Sequence, residues 1–417
     1  MTVGDPIAAA STRASRNGRA SAGRESAQGV QHNTPSPADL TGPELRAAVR
    51  AFAAQHITPV ALECDRAGEA PMQAVEAFWE QGFPRRFIPS PGEEPGPYLA
   101  DGCAAADELA YACAATASLL MLPVFFNRVV VRQLTEPTRS EFLDRLARGP
   151  VITSFAASER EPGSDLLGVR TSARRVDDGY VLDGRKEYSS NLGHADYVVV
   201  VARTADDSAR ASDALSWFLV PTDAAGVAVG PRWSTLGLRS MSLNPLDLDG
   251  VQLPASHRIG DEGRGLQLML ENLSQSRTGI AAMGVGIARR ARDEVLAYGS
   301  KRRLYGDKLI KLQDYRFRIA EMEKDIAAAR ALVQVSADLY DRGLDHGKEA
   351  SIAKLYAGQM VMRVTEAASV MLGSVGYTTQ SVIEKLFRDA RHTAIVEGTE
   401  PIHKELIFAS VLRRGGY

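Results

Sequence analysis

The apolar residues of this 417-residue chain change period twice, and that sets the architecture before any single motif is considered. Up to Gly149-Pro150 they recur at helical spacing: Leu45, Val49 and Phe52 fall four and three apart, with Thr41 placed as an N-cap. Further helices are predicted over 72–81, 101–125 and 137–148. The third-helix region 109–120 is rich in Ala and Ser, which implies a close neighbour. From Val151 the period becomes two, and strands are predicted over 151–157, 171–176, 180–182, 197–203 and 216–220. Asp177-Asp178-Gly179 joins two of them as a hairpin. Frequent Gly, Pro and Asp between short alternating segments point to an antiparallel sheet and against βαβ units. After Gly265 the helical period returns. Tyr315, Ile319, Met322, Ile326, Ala329 and Val333 form one long stripe, and Leu266, Leu270, Leu273, Ile280 and Ile287 another. The expected fold is α+β: an N-terminal helical domain (39–150), a small antiparallel β-domain (151–261) and a C-terminal four-helix bundle (262–417).

Composition narrows the function classes. A net charge of −2 gives no electrostatic reason for a nucleic-acid or anionic-membrane partner. No apolar run is read as reaching the roughly 20 residues that span a bilayer. The seven His never take HExxH or comparable spacing, so no metal site is expected. Three Cys without a CxxC pair read as reduced thiols. Residues 1–38 are rich in Ala, Ser, Arg and Gly and end in Asn33-Thr34-Pro35-Ser36-Pro37, a disordered tail by composition. A cytoplasmic location is expected. Four Arg against two acids in the tail leave a transit peptide, and the mitochondrial matrix, as the alternative.

Four segments place small or hydroxylated residues in turns where a planar ligand can lie against backbone. The first runs from Phe155 and Ala157 through Ser158-Glu159 to Gly163-Ser164-Asp165, ending a strand in exposed donors. The second, Gly184 to Asn191, sets Tyr188 and Ser190 on one side of an extended segment. The third is Arg302-Arg303-Leu304-Tyr305-Gly306 with Gln313, where Arg302 presents paired donors suited to a pyrophosphate. The fourth joins Gly373-Ser374-Val375-Gly376-Tyr377, Arg388-Asp389-Ala390-Arg391 and Ile395-Val396-Glu397-Gly398-Thr399. Flanked by apolar residues and a Gly, the Glu397 carboxylate would be partly desolvated, which raises its pKa toward general-base use. Each segment alone has an ordinary reading as a loop, a strand edge, a solvated basic turn or a helix end.

In this order the four segments resemble the acyl-CoA dehydrogenase family over about residues 40–415. Ser158 to Asp165 matches its T-E-P-x-A-G-S-D loop, and Gly184 to Asn191 its G-x-K-x-(W/Y/F)-I-(T/S)-N segment. Arg302 to Gly306 with Gln313 matches R-x-x-F-G…Q, and the fourth segment matches G-G-x-G-Y…R-D-A-R…E-G-T. The resemblance implies FAD at Phe155, Ala157, Ser158, Ser164, Tyr188, Ser190 and Thr399. It also implies that Arg302, Gln313 and the backbone around Gly373 reach the ADP portion of a neighbouring subunit's cofactor. Substrate contacts are implied at Ser164, Arg277, Tyr377 and Gly398. Glu397 is implied as the base that removes the α-proton of an acyl thioester while hydride passes to flavin N5. Some members carry the base just before the position of Arg277, where this chain has Ser276, which cannot serve.

Several letters depart from the pattern: Arg160, Glu161, Ser374, Pro401 and His403 replace common family residues, and the loop 86–98 lacks the usual text. His392, five residues before Glu397, reads as exposed. The substrate is expected to be an acyl-CoA or, as an alternative, an acyl or aminoacyl thioester on a carrier protein. A flavin monooxygenase on the same fold, or a non-catalytic flavin-binding relative, are the more distant alternatives. An electron-transfer flavoprotein as acceptor and a homo-oligomer, a tetramer before a dimer, follow from the resemblance.

Overall fold

The computed structural model describes residues 36–89, 96–161, 163–205 and 211–415. The expected tail falls outside them up to residue 35, and the loop 86–98 does in part. Ser36 caps a short 3-10 turn over Pro37–Asp39 by accepting from Ala38 N.

Six helices precede the sheet: α1 (Gly42–His56), α2 (Ala61–Ala67), α3 (Met72–Glu80), α4 (Leu99–Ala112), α5 (Ala114–Gln133) and α6 (Thr138–Arg148). Leu45, Val49 and Phe52 are buried as their spacing demands, and the Phe52 ring lies 5.4 Å from both Phe78 and Phe83. Thr41 is the α1 N-cap, yet its side chain makes no cap bond; Asp101 Oδ1 accepts from Gly42 N at 2.9 Å instead. The single helix predicted over 101–125 is two, because Cys113 is extended (φ −161°) between α4 and α5. A one-residue break leaves the Ala/Ser composition unchanged on both sides and so has no sequence mark. The close neighbour that composition called for is the long helix α7 (Gly265–Lys301): a Cβ on Gly286 would sit 2.2 Å from the Asp107 carbonyl oxygen. Contrary to the sequence reading, α5 is 20 residues long and an 18-residue window within it is apolar enough to cross a membrane by length and composition. It is instead a core helix, 89% buried over that window.

The β-domain has eight strands: β1 (Thr153–Ala156), β2 (Ser172–Val176), β3 (Gly179–Ser190), β4 (Tyr197–Arg203), β5 (Leu215–Pro221), β6 (Val227–Val229), β7 (Leu243–Pro254) and β8 (Arg258–Ile259). Their order is β6-β7-β3-β1-β4-β5-β8, with β2 beside β3 and β4. Pairing is antiparallel except for β1 and β2 against β4, which are parallel. Sequence alternation missed β7, where Pro245 and Gly250 interrupt the buried run Leu246, Leu248, Val251 and Leu253. β4 divides its residues by face: Val199 and Val201 join the helical core, Val198, Val200 and Ala202 the interior of the β-domain.

The C-terminal helices are α7, α8 (Gln313–Asp341), α9 (Gly347–Leu372), α10 (Val382–Thr393) and α11 (Glu400–Gly415). On α8 the stripe residues Tyr315, Met322, Ile326, Ala329 and Val333 are buried. On α7 the stripe starts one step later than expected: Leu268 and Met269 point inward while Leu270 is 47% exposed. The Arg388-Asp389 pair of the family signature is a joint. Asp389 Oδ1 accepts from Leu238 N at 2.7 Å, Arg388 clamps Asp65 of α2 at 2.6 Å, and a Cβ on Gly237 would lie 2.4 Å from the Arg388 carbonyl oxygen. Close backbone approach there couples the β-domain to the bundle.

Candidate active site

Glu397 lies on the turn between α10 and α11 and is one of few non-glycine residues with positive φ, +60°. Gly398 follows at +109°. Such a conformation costs a non-glycine residue on the order of 1–3 kcal/mol, so its surroundings must impose it. They do so through two carbonyls. Arg277 Nε donates to the Glu397 carbonyl oxygen at 3.0 Å, and Lys354 Nζ donates to that of Gly398 at 3.1 Å. His403 Nε2 lies 2.9 Å from the same Gly398 oxygen. All three side chains are buried, at 6%, 2% and 1% exposure.

The Glu397 side chain is half-buried. Burial raises its pKa above the usual carboxylate range; a hydrogen bond from Ser276 and the charges of Arg277 and Lys354 oppose the rise. The balance leaves a carboxylate more basic than a solvated one, beside a residue that sequence reasoning had only dismissed as a base. Burial, then the neighbouring Lys354, pushes the imidazoles of His392 and His403 down to about 4. Both are therefore neutral near pH 7. His392 is not the exposed residue expected: it is half-buried beside Lys354, its Nδ1 shielded.

A second group assembles on the sheet. β1 and β3 pair at Phe155 and Ser190, and the Ser154 hydroxyl donates to the Ser190 carbonyl at 2.8 Å. Past β1 the chain doubles back along β3, with Glu187 N donating to the Ser158 carbonyl at 3.0 Å. A buried ion pair fixes this return: Lys186 Nζ lies 2.7 Å from Glu159 Oε1 and donates to the Ala157 carbonyl at 3.1 Å. Glu159 also accepts from the backbone of Arg170 and Thr171. Phe155 stacks on Phe126 at 4.8 Å and meets Trp217 at 5.0 Å. Tyr188 is 55% exposed beside Trp233, 5.8 Å away, whose indole N–H donates to the Glu187 carbonyl.

Of the other residues named from sequence, Thr399 lies on the Glu397 turn itself, and none of the rest but Arg277 shares a hydrogen bond with these groups among the described residues. Arg302 and Gln313 are exposed at the α7–α8 connection; Gly373 and Tyr377 (89% exposed) are on the 3-10 turn after α9; Ser164 and Thr399 are exposed on loops. Arg277, implied as a substrate contact, turns its Nε onto backbone behind the Glu397 turn.

Sequence reasoning missed Lys354 and the pairing of Lys186 with Glu159. Lys354 had a signal. Ala350, Ala357, Val361, Val364 and Ala368 form the buried stripe of α9, and Lys354 occupies the step between the first two, where an apolar residue belongs.

Family models for the N-terminal, middle and C-terminal domains of acyl-CoA dehydrogenases match residues 42–150, 154–251 and 263–412. Cyclohexane-1-carbonyl-CoA dehydrogenase of Geobacter metallireducens is 32% identical over 368 residues, covering 88% of this chain and 96% of that protein. Among solved structures, one described as the electron transferring flavoprotein of Acidaminococcus fermentans superposes with a TM-score of 0.84 at 26% identity, covering 92% of this chain and 100% of that one. A prolyl acyl carrier protein oxidase superposes at 0.82 with 25% identity, covering 88% and 98%. The chain belongs to the acyl-CoA dehydrogenase family. It is therefore an enzyme of a class of FAD-dependent oxidoreductases.

The residues present fit a flavin. Ser158 and Ser190 are half-buried, and their hydroxyls take no partner among the described residues, while Tyr188 and Trp233 offer aromatic surface on the same strand return. Hydroxyl donors beside an aromatic face suit a flat heterocycle with polar edges.

Proposed function

We propose that this enzyme desaturates an acyl thioester between its α- and β-carbons, with Glu397 as the base that removes the α-proton. FAD, when bound, supplies the acceptor for the hydride that leaves the β-carbon. The residues of the chain do the rest. Glu397 takes the proton on its carboxylate. Gly398, Tyr377, Ser164 and Arg277 are the proposed contacts to the thioester substrate. Ser158, Ser190, Tyr188, Phe155, Ala157 and Thr399 hold the cofactor. The observation that most supports this reading is the Glu397 turn: a carboxylate with a raised pKa, on a strained backbone that three buried side chains hold in place.

The exposure of Arg302, Gln313 and Gly373 supports a second part of the proposal: they serve the cofactor of a neighbouring copy in a homo-oligomer, a tetramer before a dimer. Phe408 and Val411 on α11, each 57% exposed, are apolar surface such an assembly can cover. An electron-transfer flavoprotein is the acceptor we propose. The thioester carrier is CoA or an acyl carrier protein; the likeness to a prolyl acyl carrier protein oxidase keeps the second in view.

Anaerobic mixing of the flavin-loaded protein with CoA-borne and carrier-borne thioesters, following flavin absorbance, tests the reading. Bleaching by at least one carrier class is expected, and the faster class identifies the carrier. No bleaching by either, with substrate-dependent oxygen uptake when a flavin reductase is supplied, would point to a monooxygenase instead.

A further inference from the structure

The turn that carries Glu397 is held from behind by a residue with no place in the reaction so far. Lys354 reaches out of the buried stripe of α9, and its ammonium ends 3.1 Å from the Gly398 carbonyl oxygen. An ordinary core position would carry an apolar side chain. Burying an ammonium costs several kcal/mol unless it is well paired, and among the described residues no carboxylate lies within ion-pair distance of this one. Its nearest acidic influence is Glu397.

The groups facing it from the surrounding elements are few: Arg277 on α7, His392 and Arg391 on α10, His403 and Glu400 on α11. Glu400 pairs with Lys404 at 2.6 Å. With both imidazoles neutral, Lys354 and Arg277 are the buried positive charges at the turn. They divide the task, Arg277 on the Glu397 carbonyl and Lys354 on the next one.

We propose that Lys354 is a positioning residue: its ammonium fixes the Gly398 carbonyl, holds Glu397 in its left-handed conformation and supplies the positive field that keeps the carboxylate ionised for proton abstraction. This rests on Glu397 being the base. Burial pushes Lys354 down to about 8 against the pull of Glu397, so the ammonium is still charged at neutral pH.

The local shape supplies a test. A cavity of about 290 Å³, lined by Lys354, Gly358, Gln359, Arg391 and His403, opens to solvent behind the turn. Truncation at Lys354 would extend it toward the Gly398 carbonyl and admit a small alkylammonium ion. The experiment uses flavin-loaded Lys354→Met and Lys354→Ala, with FAD content and thermal unfolding as controls. Lys354→Met is expected to slow anaerobic flavin reduction at least about tenfold with little change in thioester affinity. Losing a nearby cation raises the carboxyl pKa, so the acid limb of the pH profile should move to higher pH. The infrared carboxyl band of Glu397, assigned by its loss in Glu397→Gln, should titrate at higher pH as well. Ethylammonium should restore part of the rate to Lys354→Ala. An unchanged rate and profile in folded Lys354→Met overturns the proposal. If that variant loses its flavin or melts early, the amine decides, and absence of rescue in Lys354→Ala overturns it. Normal flavin reduction by Glu397→Gln would instead remove the base reading; an inactive Glu397→Gln beside a normal Lys354→Met removes Lys354 alone.

Discussion

The two ends of the sequence-named site are built in opposite ways. Around Glu397 and along the β1–β3 return, the backbone that carries the named residues is tied down from within the chain: Arg277, Lys354 and His403 on two carbonyls, Lys186 on Glu159, Ser154 on the Ser190 carbonyl. Around Arg302, Gln313, Gly373 and Tyr377 the side chains are exposed, and the residues share no network. The contrast separates groups held in place by their own chain from exposed groups, for which we propose a partner outside it. Rigid support from within suits a base that must be aimed; exposed donors suit a ligand or a subunit that arrives from elsewhere.

Replacing Lys186 by Met attacks the closed side hardest. It leaves Glu159 buried without its cation, which should cost about 3–5 kcal/mol in denaturant unfolding and lower flavin retention. The same pair sets an acid sensitivity. Burial raises the Glu159 pKa, but the Lys186 and Thr171 hydrogen bonds outweigh it and hold the carboxyl below its ordinary value. That contribution is present above the ordinary carboxylate range and is lost as pH falls through the lowered value. Lys186→Met should therefore lose the part of the wild-type acid dependence that Glu159 supplies.

Arg302→Ala probes the open side. Loss of a charge-assisted contact to phosphate should weaken FAD binding by about 10- to 100-fold in a flavin titration. Unfolding of the flavin-free protein should not change, since the side chain is exposed. A large drop in flavin-free stability would erase the contrast between the two regions.

A smaller effect is expected in the pH dependence of anaerobic flavin reduction. With Glu397 as the proposed base, the rate needs its ionised form, whose pKa burial raises, so it should climb with pH through a midpoint above that of an ordinary carboxylate. A midpoint below that range would place the proton acceptor elsewhere. Tyr377→Ala should change thioester affinity least, by about 1 kcal/mol or under, because an exposed ring loses little packing.

The fold was legible wherever periodicity ran unbroken. The stripe on α8 and the strands 197–203 and 216–220 follow directly from spacing. The break at Cys113 and the strand β7 were not legible, because a one-residue kink carries no composition and Pro245 and Gly250 disrupt alternation within a paired strand. At the site, Glu397 could be singled out because the four segments together resemble the family; its two apolar neighbours and a glycine agreed with desolvation but alone had an ordinary reading. Of the side chains that hold its turn, His403 on α11 is local, but Arg277 on α7 and Lys354 on α9 are distant in sequence, and only tertiary structure brings them there. Lys354 shows the limit: a lysine on an apolar stripe is a visible anomaly, but nothing in sequence says which carbonyl it meets.

We propose above that the Glu397 carboxylate takes the α-proton. Single-turnover anaerobic mixing of flavin-loaded Glu397→Gln with a thioester that bleaches the wild-type protein tests it most directly. The variant should retain FAD, bind the thioester close to wild type and reduce its flavin at no more than about one thousandth of the wild-type rate. Bleaching at a near wild-type rate would contradict it.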